Sequence, residues 1–546
     1  MDKNTANGVD RRMSCFFSRI AAVFTCISIL FSSGAAYAVR FLKNLDVGPA
    51  EYPRAAVAAE KIILLPYPDA ASALTVGSLQ GVLANASKTQ LLIKDGAWQK
   101  YLPYIDADIS EARPDGGSWD VPSLLGKFSS VLNGYVLCDD AGAAAAVTVA
   151  GVLQAVIIPE QLEAAAVGAG LEKLEDVRGW DDSKLRGSVY WRRVNDKTAV
   201  EQPVSLAPKL VDLAVMAGAY FGFSDSDDAK AHKKLFSFLK DNSVVFGWNN
   251  TLGEYNTVRT LSELNVCLIP ADHGCNYSTL SGLGGEALVQ NVRGSAVEAS
   301  QAHTVCLVMS DGDNLQWITS MFDDGAHYGS QVRGSFAMGW GLPASIGSVA
   351  APMAEYLYDA QTENDEFITQ ISGLGYTFPS KWNNSAALNV MADGLAEQMA
   401  LNGSRVACVL DDGGFDSKAL DVIVSRDGID ALFYFDYSDY AGMKGAVRTV
   451  SGKPVIAARH KLWSGISGCS PEEIAACVNA APTAPSDPDS YSLIVIHAWS
   501  GLDGNGSFVP YGDTMAAVEK LVSLFDSDVR LVTPSEFVSL ISGTDG

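Results

Sequence analysis

Positive charge is scarce in this sequence: 39 lysine and arginine residues stand against 63 aspartate and glutamate residues, so the formal net charge is −24 at pH 7. A chain this acidic lacks the basic surface that nucleic acids and anionic membranes attract, which argues against both as partners. After the first 38 residues, no stretch is long and apolar enough to span a membrane. The charge balance fits neutral or cationic ligands.

Motifs for cofactors and metals are also missing. The glycines form neither a dinucleotide fingerprint nor a phosphate loop. Neither the cysteines nor the histidines have zinc-site spacing, and the six histidines include no His-x-x-x-His pair. We therefore expect no cofactor.

Residues 1–38 have the features of a signal peptide. Arg11, Arg12 and Arg19 precede an apolar run from Ile20 to Phe31, and Ala36-Tyr-Ala38 forms a small-residue cleavage site. The run is too short to cross a bilayer, as is usual for a leader that is removed. We expect cleavage after Ala38 and an exported protein, periplasmic or extracellular, with no membrane attachment afterwards.

Export permits disulfide bonds. Two of the nine cysteines, Cys15 and Cys26, lie in the leader. We expect two local disulfides, each across a short loop, namely Cys267–Cys275 and Cys469–Cys477. The remaining cysteines lie inside apolar strand-like segments and are expected to be buried thiols: Cys138, Cys306 and Cys408.

The length predicts several domains. Strand and helix patterns with short links recur before residue 300, as is typical of small parallel α/β units. Glu254 follows one of these strands, and we expect it to be a solvated loop carboxylate rather than a ligand contact. The predicted segments are a signal peptide at 1–38, small α/β domains at 39–112, 113–185 and 186–298, and a C-terminal domain at 299–546.

The C-terminal segment has eight strand-like stretches with helical stretches between most of them. Over roughly 240 residues this rhythm predicts a TIM-like (β/α)8 barrel. The fold class is therefore α/β, with a C-terminal barrel preceded by two or three small α/β domains. The strands are expected at 304–310, 333–340, 366–372, 405–411, 431–436, 454–459, 492–497 and 529–532.

Active sites of such barrels lie at the carboxyl ends of the strands. The first strand is followed by the polar stretch Ser310-Asp-Gly-Asp-Asn-Leu-Gln-Trp317, which is also favourable turn chemistry. Helix capping is the alternative role for the aspartates that end later strands. The candidate catalytic residues are Asp311, Asp313, Asp411, Asp412, Asp436 and His497. The candidate substrate-binding residues are Asn314, Trp317, Trp340, Gly375, Tyr376, His460 and Trp499.

Tryptophans beside carboxylates point to carbohydrate, since sugar rings stack their C–H surfaces on aromatic faces. Glycoside hydrolysis needs two carboxyl groups, which aspartates supply when their environments separate the two pKa values. A metal-dependent polysaccharide deacetylase is an alternative, with a divalent metal held by Asp311, Asp313 and His497. A non-catalytic glycan-binding protein is a third. The sugar, the linkage, the stereochemical outcome and the oligomeric state stay open.

Gly373-Leu-Gly-Tyr-Thr-Phe-Pro379 resembles the signature of the bacterial GxGYxYP family, whose members are regarded as glycoside hydrolases. Phe378 stands where the signature has its second tyrosine. The glycines would allow close backbone approaches, and Tyr376 is expected to be held over the cleft. The resemblance implies small N-terminal α/β domains, a TIM-like barrel and sugar processing. Further landmarks that look like the family's are 176–179, 247–248, 310–317, Arg333-Gly334, 339–340 and Asn364-Asp365, which add Arg333 and Asp365 as substrate-binding candidates.

Overall fold

The computed structural model describes residues 51–206, 209–224, 226–292, 297–465 and 467–542. The predicted leader at 1–38 lies outside these residues. Among the helices of the described ranges, none combines the length and apolar character needed to cross a membrane. The architecture is mixed α/β, built from three small parallel sheets and one large curled sheet.

The first small sheet contains β1 (Lys61–Leu65), β2 (Thr89–Ile93) and β3 (Asp108–Ser110), in the order β2-β1-β3. Helix Ala73–Ala86 connects β1 to β2 and is buried over nearly its whole length. A Cβ added at Gly81 would lie 2.5 Å from the carbonyl oxygen of Asp212. Glycine therefore lets this helix pack closely against helix Val211–Ala217.

Two more parallel sheets follow. The second contains β4 (Tyr135–Cys138), β5 (Val156–Pro159) and β6 (Lys173–Asp176), in the order β5-β4-β6. The third contains β7 (Asn195–Gln202), β8 (Ala219–Phe223), β9 (Ser243–Gly247) and β10 (Val266–Ile269), in the order β10-β9-β7-β8. The remaining helices of this half are Trp98–Tyr101, Val121–Phe128, Ala143–Leu153, Glu163–Gly168, Asp182–Gly187, Val211–Ala217, Ala229–Phe236, Glu254–Ser262 and Tyr277–Leu280.

The large sheet lies in the C-terminal segment. Its strands are β11 (His303–Met309), β12 (Met338–Pro343), β13 (Asp365–Gln370), β14 (Val406–Asp411), β15 (Ala431–Asp436), β16 (Val447–Val450), β17 (Lys453–Ala457), β18 (His460–Leu462) and β19 (Tyr491–Ile496). β20 (Ser500–Leu502) and β21 (Phe508–Pro510) form a separate hairpin, and β22 (Val529–Leu531) pairs with β11. The helices are Leu315–Ile318, Ile346–Val349, Ala351–Asp359, Ser385–Leu401, Lys418–Val424, Pro471–Asn479, Thr514–Ser523 and Pro534–Ser542.

The large sheet curls in the order β16-β17-β15-β14-β13-β12-β11-β19-β18, and a closed eight-stranded barrel is not confirmed. The stretch from β17 to β18 contacts both ends of this order. Just after β17, the backbone N–H of Ala458 donates to the carbonyl oxygen of Tyr434 in β15. The next N–H, that of Arg459, donates to the carbonyl oxygen of Leu493 in β19.

Two of the predicted strands differ from those in the structure. β22, expected as the eighth barrel strand, pairs only with His303–Val305 at the beginning of β11. β19 pairs along one edge of β11, so β22 and β12 share its other edge. β22 therefore does not form a separate strand in the order of the curled sheet. The strand expected at 333–340 is Met338–Pro343, so Arg333 precedes it and Trp340 lies inside it.

Both predicted disulfides are wrong, because all seven described cysteines are free thiols. Cys267 is buried in β10, while the Cys275 thiol donates to Asp95 Oδ2 at 3.1 Å. Cys469 is half-buried and Cys477 is exposed. The three cysteines expected as buried thiols are confirmed in that state: Cys138, Cys306 and Cys408.

Candidate active site

A cavity of about 710 Å³ opens at the carboxyl ends of the strands of the large sheet. Ser310, Gln370, Leu410 and Phe435, at or next to the ends of four parallel strands, form part of its wall. The part of the chain that contains the third sheet, residues 195–280 and called the third domain below, forms another part of the wall through residues that follow β9 and β10. The cavity is therefore shared between these two parts of the chain.

Asp311 lies directly after β11, and two donors hold its carboxylate. The indole Nε1 of Trp499 donates to Oδ1 at 3.0 Å, and the Ser310 hydroxyl donates to Oδ2. The backbone of Asp311 has φ of +61°, in the left-handed region, which ends the side-to-side alternation of the strand. Ser310 and Asp311 therefore both face the cavity.

Asp313 lies on the same loop and lines the same cavity. Burial, followed by the charges of Asp311 and Glu254, raises the pKa of Asp313 to about 8. The loop fits tightly here, since a Cβ on Gly312 would lie 2.2 Å from the carbonyl carbon of Gly341. Asp313 consequently keeps its proton at neutral pH, beside an Asp311 side chain that accepts two hydrogen bonds.

Glu254 faces this pair from the third domain, where it begins helix Glu254–Ser262. The Tyr376 hydroxyl donates to its Oε1 at 2.6 Å. The Glu254 side chain is exposed to the cavity, but the protein atoms around it remove part of its hydration. This desolvation and the charge of Asp311 raise the pKa of Glu254. Glu254 is therefore exposed, as expected, but it begins a helix and lines the cavity instead of lying on a loop in open solvent.

The GxGY loop connects the large sheet to the third domain. Tyr376 and Leu268 of β10 exchange two backbone hydrogen bonds, of 2.6 and 2.9 Å. A Cβ on Gly375 would lie 2.5 Å from the Leu268 carbonyl oxygen, so this contact requires glycine. Phe378 is fully buried beside the rings of Tyr376 and Tyr437. The ring at this position thus serves packing.

Aromatic rings and a histidine complete the wall. The His497 ring stacks on Trp463, with 3.7 Å between ring centroids and 9° between planes. Its Nδ1 is hydrogen-bonded to the Ser500 hydroxyl at 2.9 Å, and burial lowers its pKa. The imidazole is therefore neutral at pH 7. Trp248, Tyr440 and Trp499 add further rings to the wall.

Of the residues predicted from the sequence, six line this cavity: Asp311, Asp313, Asn314, Tyr376, His497 and Trp499. Asp411 and Asp436 do not line the cavity. Each directly follows a residue that does, Leu410 or Phe435, and successive residues of a strand face opposite sides of the sheet. Asp411 is buried, with its pKa raised to about 6 by burial, and accepts from the Ser380 hydroxyl at 2.7 Å.

Asp412 likewise lies outside the cavity wall. Its carboxylate forms an ion pair with Lys381 at 2.6 Å and accepts from the Tyr255 hydroxyl at 2.7 Å. Asp436 accepts from the backbone N–H of Ser438 at 2.9 Å, as expected for turn capping.

Arg333, Trp340 and Asp365 form a buried cluster away from the cavity. Asp365 accepts from Arg333 NH1 at 2.6 Å and from Trp340 Nε1 at 2.9 Å. Trp317 is buried beside Trp499, and Gly375 contacts the third domain instead of the cavity. His460 lines a separate cavity of about 450 Å³, and burial lowers its pKa to about 4.

The third domain's contribution to the cavity was not predicted from the sequence, where a ligand contact at Glu254 was the less favoured alternative. These residues follow β9 and β10, so the rule that places sites at strand carboxyl ends would have found them. In particular, β9 ends at Gly247 and is followed at once by polar residues. The residues are Trp248, Asn250, Glu254, Asp272 and His273.

Within the described ranges, no group of three or more histidine, cysteine, aspartate or glutamate side chains is arranged to hold a metal ion. The set Asp311, Asp313 and His497 therefore does not form such a group.

Three family models match consecutive parts of the chain. They are described as the "GxGYxYP_N second domain" at residues 132–194, the "GxGYxYP third domain" at 196–282, and the "GxGYxYP putative glycoside hydrolase C-terminal domain" at 301–542. The chain belongs to the GxGYxYP family. The second and third small sheets and the curled sheet of this GxGYxYP protein thus coincide with the family domains, whereas the first small sheet precedes the matched residues.

A solved structure has the same fold. It is described as the "crystal structure of a putative hydrolase from Bacteroides thetaiotaomicron", and the match has a TM-score of 0.77 at 22% identity. The alignment covers 91% of this GxGYxYP protein and 98% of that chain. No curated protein matches the sequence. The description of the family's C-terminal domain is that of a hydrolase, and the solved structure supports the fold.

Proposed function

We propose that this GxGYxYP protein is a glycoside hydrolase whose active site is the 710 Å³ cavity. The observation that carries the proposal is the pair of carboxyl groups that one loop presents to this cavity: Asp313, whose pKa is raised to about 8, and Asp311, which accepts hydrogen bonds from Trp499 and Ser310. A glycosidase needs one protonated carboxyl group and one carboxylate, and separated pKa values supply both. The family's description as a glycoside hydrolase supports the same activity.

Asp313 is the proton donor in this proposal. Its carboxyl group gives a proton to the glycosidic oxygen as the bond to the leaving sugar breaks. Asp311 is the base or nucleophile, held in place by hydrogen bonds from the Trp499 indole and the Ser310 hydroxyl. The rings of Trp248, Tyr440 and Trp499 offer apolar faces for sugar stacking.

The proposal also includes the location of the protein, the form of the large sheet and the class of partner. The leader pattern supports export to the periplasm or the outside of the cell. The pairing of stretch 453–462 on both sides supports a TIM-like curl of the large sheet. A carbohydrate is the proposed partner, and the acidic charge argues against nucleic acid.

The test is a screen of defined oligosaccharides and polysaccharides, with release of reducing ends as the readout. Asp311→Asn and Asp313→Asn should each lower the rate by about 10²- to 10⁴-fold, as expected for loss of acid–base groups. Asp436→Asn is the matched control, since this aspartate also ends a strand but lies outside the cavity. Unchanged turnover in both cavity variants would refute the assignment, and wild-type binding without turnover would favour a glycan-binding protein.

A further inference from the structure

The third domain contributes a carboxylate to the same cavity as the two aspartates. Glu254 follows Gly253 at the amino end of helix Glu254–Ser262 and belongs to a different sheet from Asp311 and Asp313. We infer that Glu254 is a further catalytic residue that contacts the substrate, and that Tyr376 of the GxGY motif positions it. This inference rests on the proposed glycosidase function.

Glu254 is close enough to both aspartates to share their electrostatic field. The charge of Asp311 raises the pKa of Glu254, and the charge of Glu254 contributes to the raised pKa of Asp313. A group that interacts with both members of the acid–base pair lies where the reacting sugar must lie. Since it comes from the third domain, the substrate would lie between the two domains.

The carboxylate has one oxygen occupied and one available. Tyr376 donates to Oε1, and Oε2 accepts no hydrogen bond from any residue within the described ranges. The side chain is exposed within the cavity, so a ligand can reach it. An ionised carboxylate oxygen in this position accepts hydrogen bonds, and the hydroxyl groups of a sugar are suitable donors.

Tyr376 is suited to hold this carboxylate in place. Its side chain is buried, and its backbone is tied to Leu268 of the third domain by two hydrogen bonds. Burial holds the pKa of its hydroxyl well above the usual value, so the hydroxyl remains a donor. The motif therefore fixes the third domain to the large sheet and orients Glu254 with the same residue.

The experiment compares Glu254→Gln and Tyr376→Phe with matched controls on a glycan that the screen shows to be hydrolysed. A pair with the same chemistry occurs in the second sheet, where the Tyr190 hydroxyl donates to Glu175 Oε2 at 2.7 Å. Glu175→Gln and Tyr190→Phe should leave kcat and KM unchanged.

We expect Glu254→Gln to lower kcat/KM by about 10²-fold or more, in the range of acid–base and charge-stabilising residues. Tyr376→Phe should lower it by roughly tenfold, the loss expected for one hydrogen bond to a charged group. The acidic limb of the pH profile of kcat/KM distinguishes a positioning role of Tyr376 from a general loss of structure. The tyrosine's hydrogen bond lowers the pKa of Glu254, so its removal should move that limb to higher pH.

The outcomes distinguish the inference from the proposed function. If Asp311→Asn abolishes turnover while Glu254→Gln behaves like Glu175→Gln, the function stands and the inference is overturned. If the wild type hydrolyses no glycan, the function and the catalytic role of Glu254 both fail, and carbon-13 NMR titration of the glutamate carboxyl groups tests the remaining part of the inference, the positioning of Glu254 by Tyr376 beside Asp311. The Glu254 signal, identified by its loss in Glu254→Gln, should titrate at lower pH in Asp311→Asn and at higher pH in Tyr376→Phe. A signal unmoved by both substitutions would overturn the inference.

Discussion

Replacing Gly375 by alanine should separate the third domain from the large sheet. A Cβ at this position would lie 2.5 Å from the Leu268 carbonyl oxygen and 3.1 Å from Ile269 Cγ1. Gly375 has no positive φ, so alanine costs nothing in backbone conformation and the penalty comes from the contact. Overpacking costs about 1–3 kcal/mol. The two backbone hydrogen bonds between Tyr376 and Leu268 are worth roughly 0.5–1.5 kcal/mol each.

The free energy of unfolding should therefore fall by about 2–6 kcal/mol in Gly375→Ala. Urea unfolding followed by tryptophan fluorescence measures the loss, and hydrogen exchange at the Leu268 amide, which donates to Tyr376, locates it. Gly285→Ala is the control, because a Cβ there meets nothing within 4 Å and no positive φ is required. If Gly375→Ala unfolds at the same urea concentration as Gly285→Ala, the close contact between the motif and β10 is refuted.

Three further predictions concern the proton donor, the buried cluster and metals. Because the proposed donor Asp313 has a pKa of about 8, kcat/KM should fall as the pH rises through about 8, and a rate that is flat to pH 10 would contradict its role. Asp365→Ala should destabilise the fold by about 3–5 kcal/mol, since it leaves Arg333 without its buried partner. Its KM at a temperature where it stays folded should match the wild type, whereas a raised KM would restore the substrate-binding role predicted from the sequence. Dialysis against EDTA should leave glycan hydrolysis unchanged, and activity restored by a divalent metal would favour the deacetylase.

Local patterns were sufficient for the class of fold and for the principal loop of the site. The apolar run at His303–Met309 is long enough to be a buried parallel strand, and the polar residues after it must then lie at its carboxyl end. The GxGY motif was equally readable, because its glycines and tyrosine are adjacent in the chain. The sequence therefore predicts Asp311, Asp313 and Tyr376 as site residues, and all three line the cavity.

A difference of one residue decided which of the other strand ends carry site residues. Asp411 and Asp436 end their strands just as predicted, yet their neighbours Leu410 and Phe435 face the cavity. Side chains alternate along a strand, so a boundary uncertain by one residue reverses the face. Asp311 escapes this alternation through its left-handed backbone, which sequence patterns do not reveal.

The sequence by itself determined the α/β class, the strand that leads to the site and the family motif, because each depends on residues that are neighbours in the chain. Only the tertiary structure decided that β22 is a short companion of β11, that the cysteines remain thiols, and that Glu254 joins Asp311 and Asp313. These outcomes depend on contacts between segments far apart in sequence. Glu254 reaches Tyr376 across 122 positions, through a domain contact that no local pattern encodes.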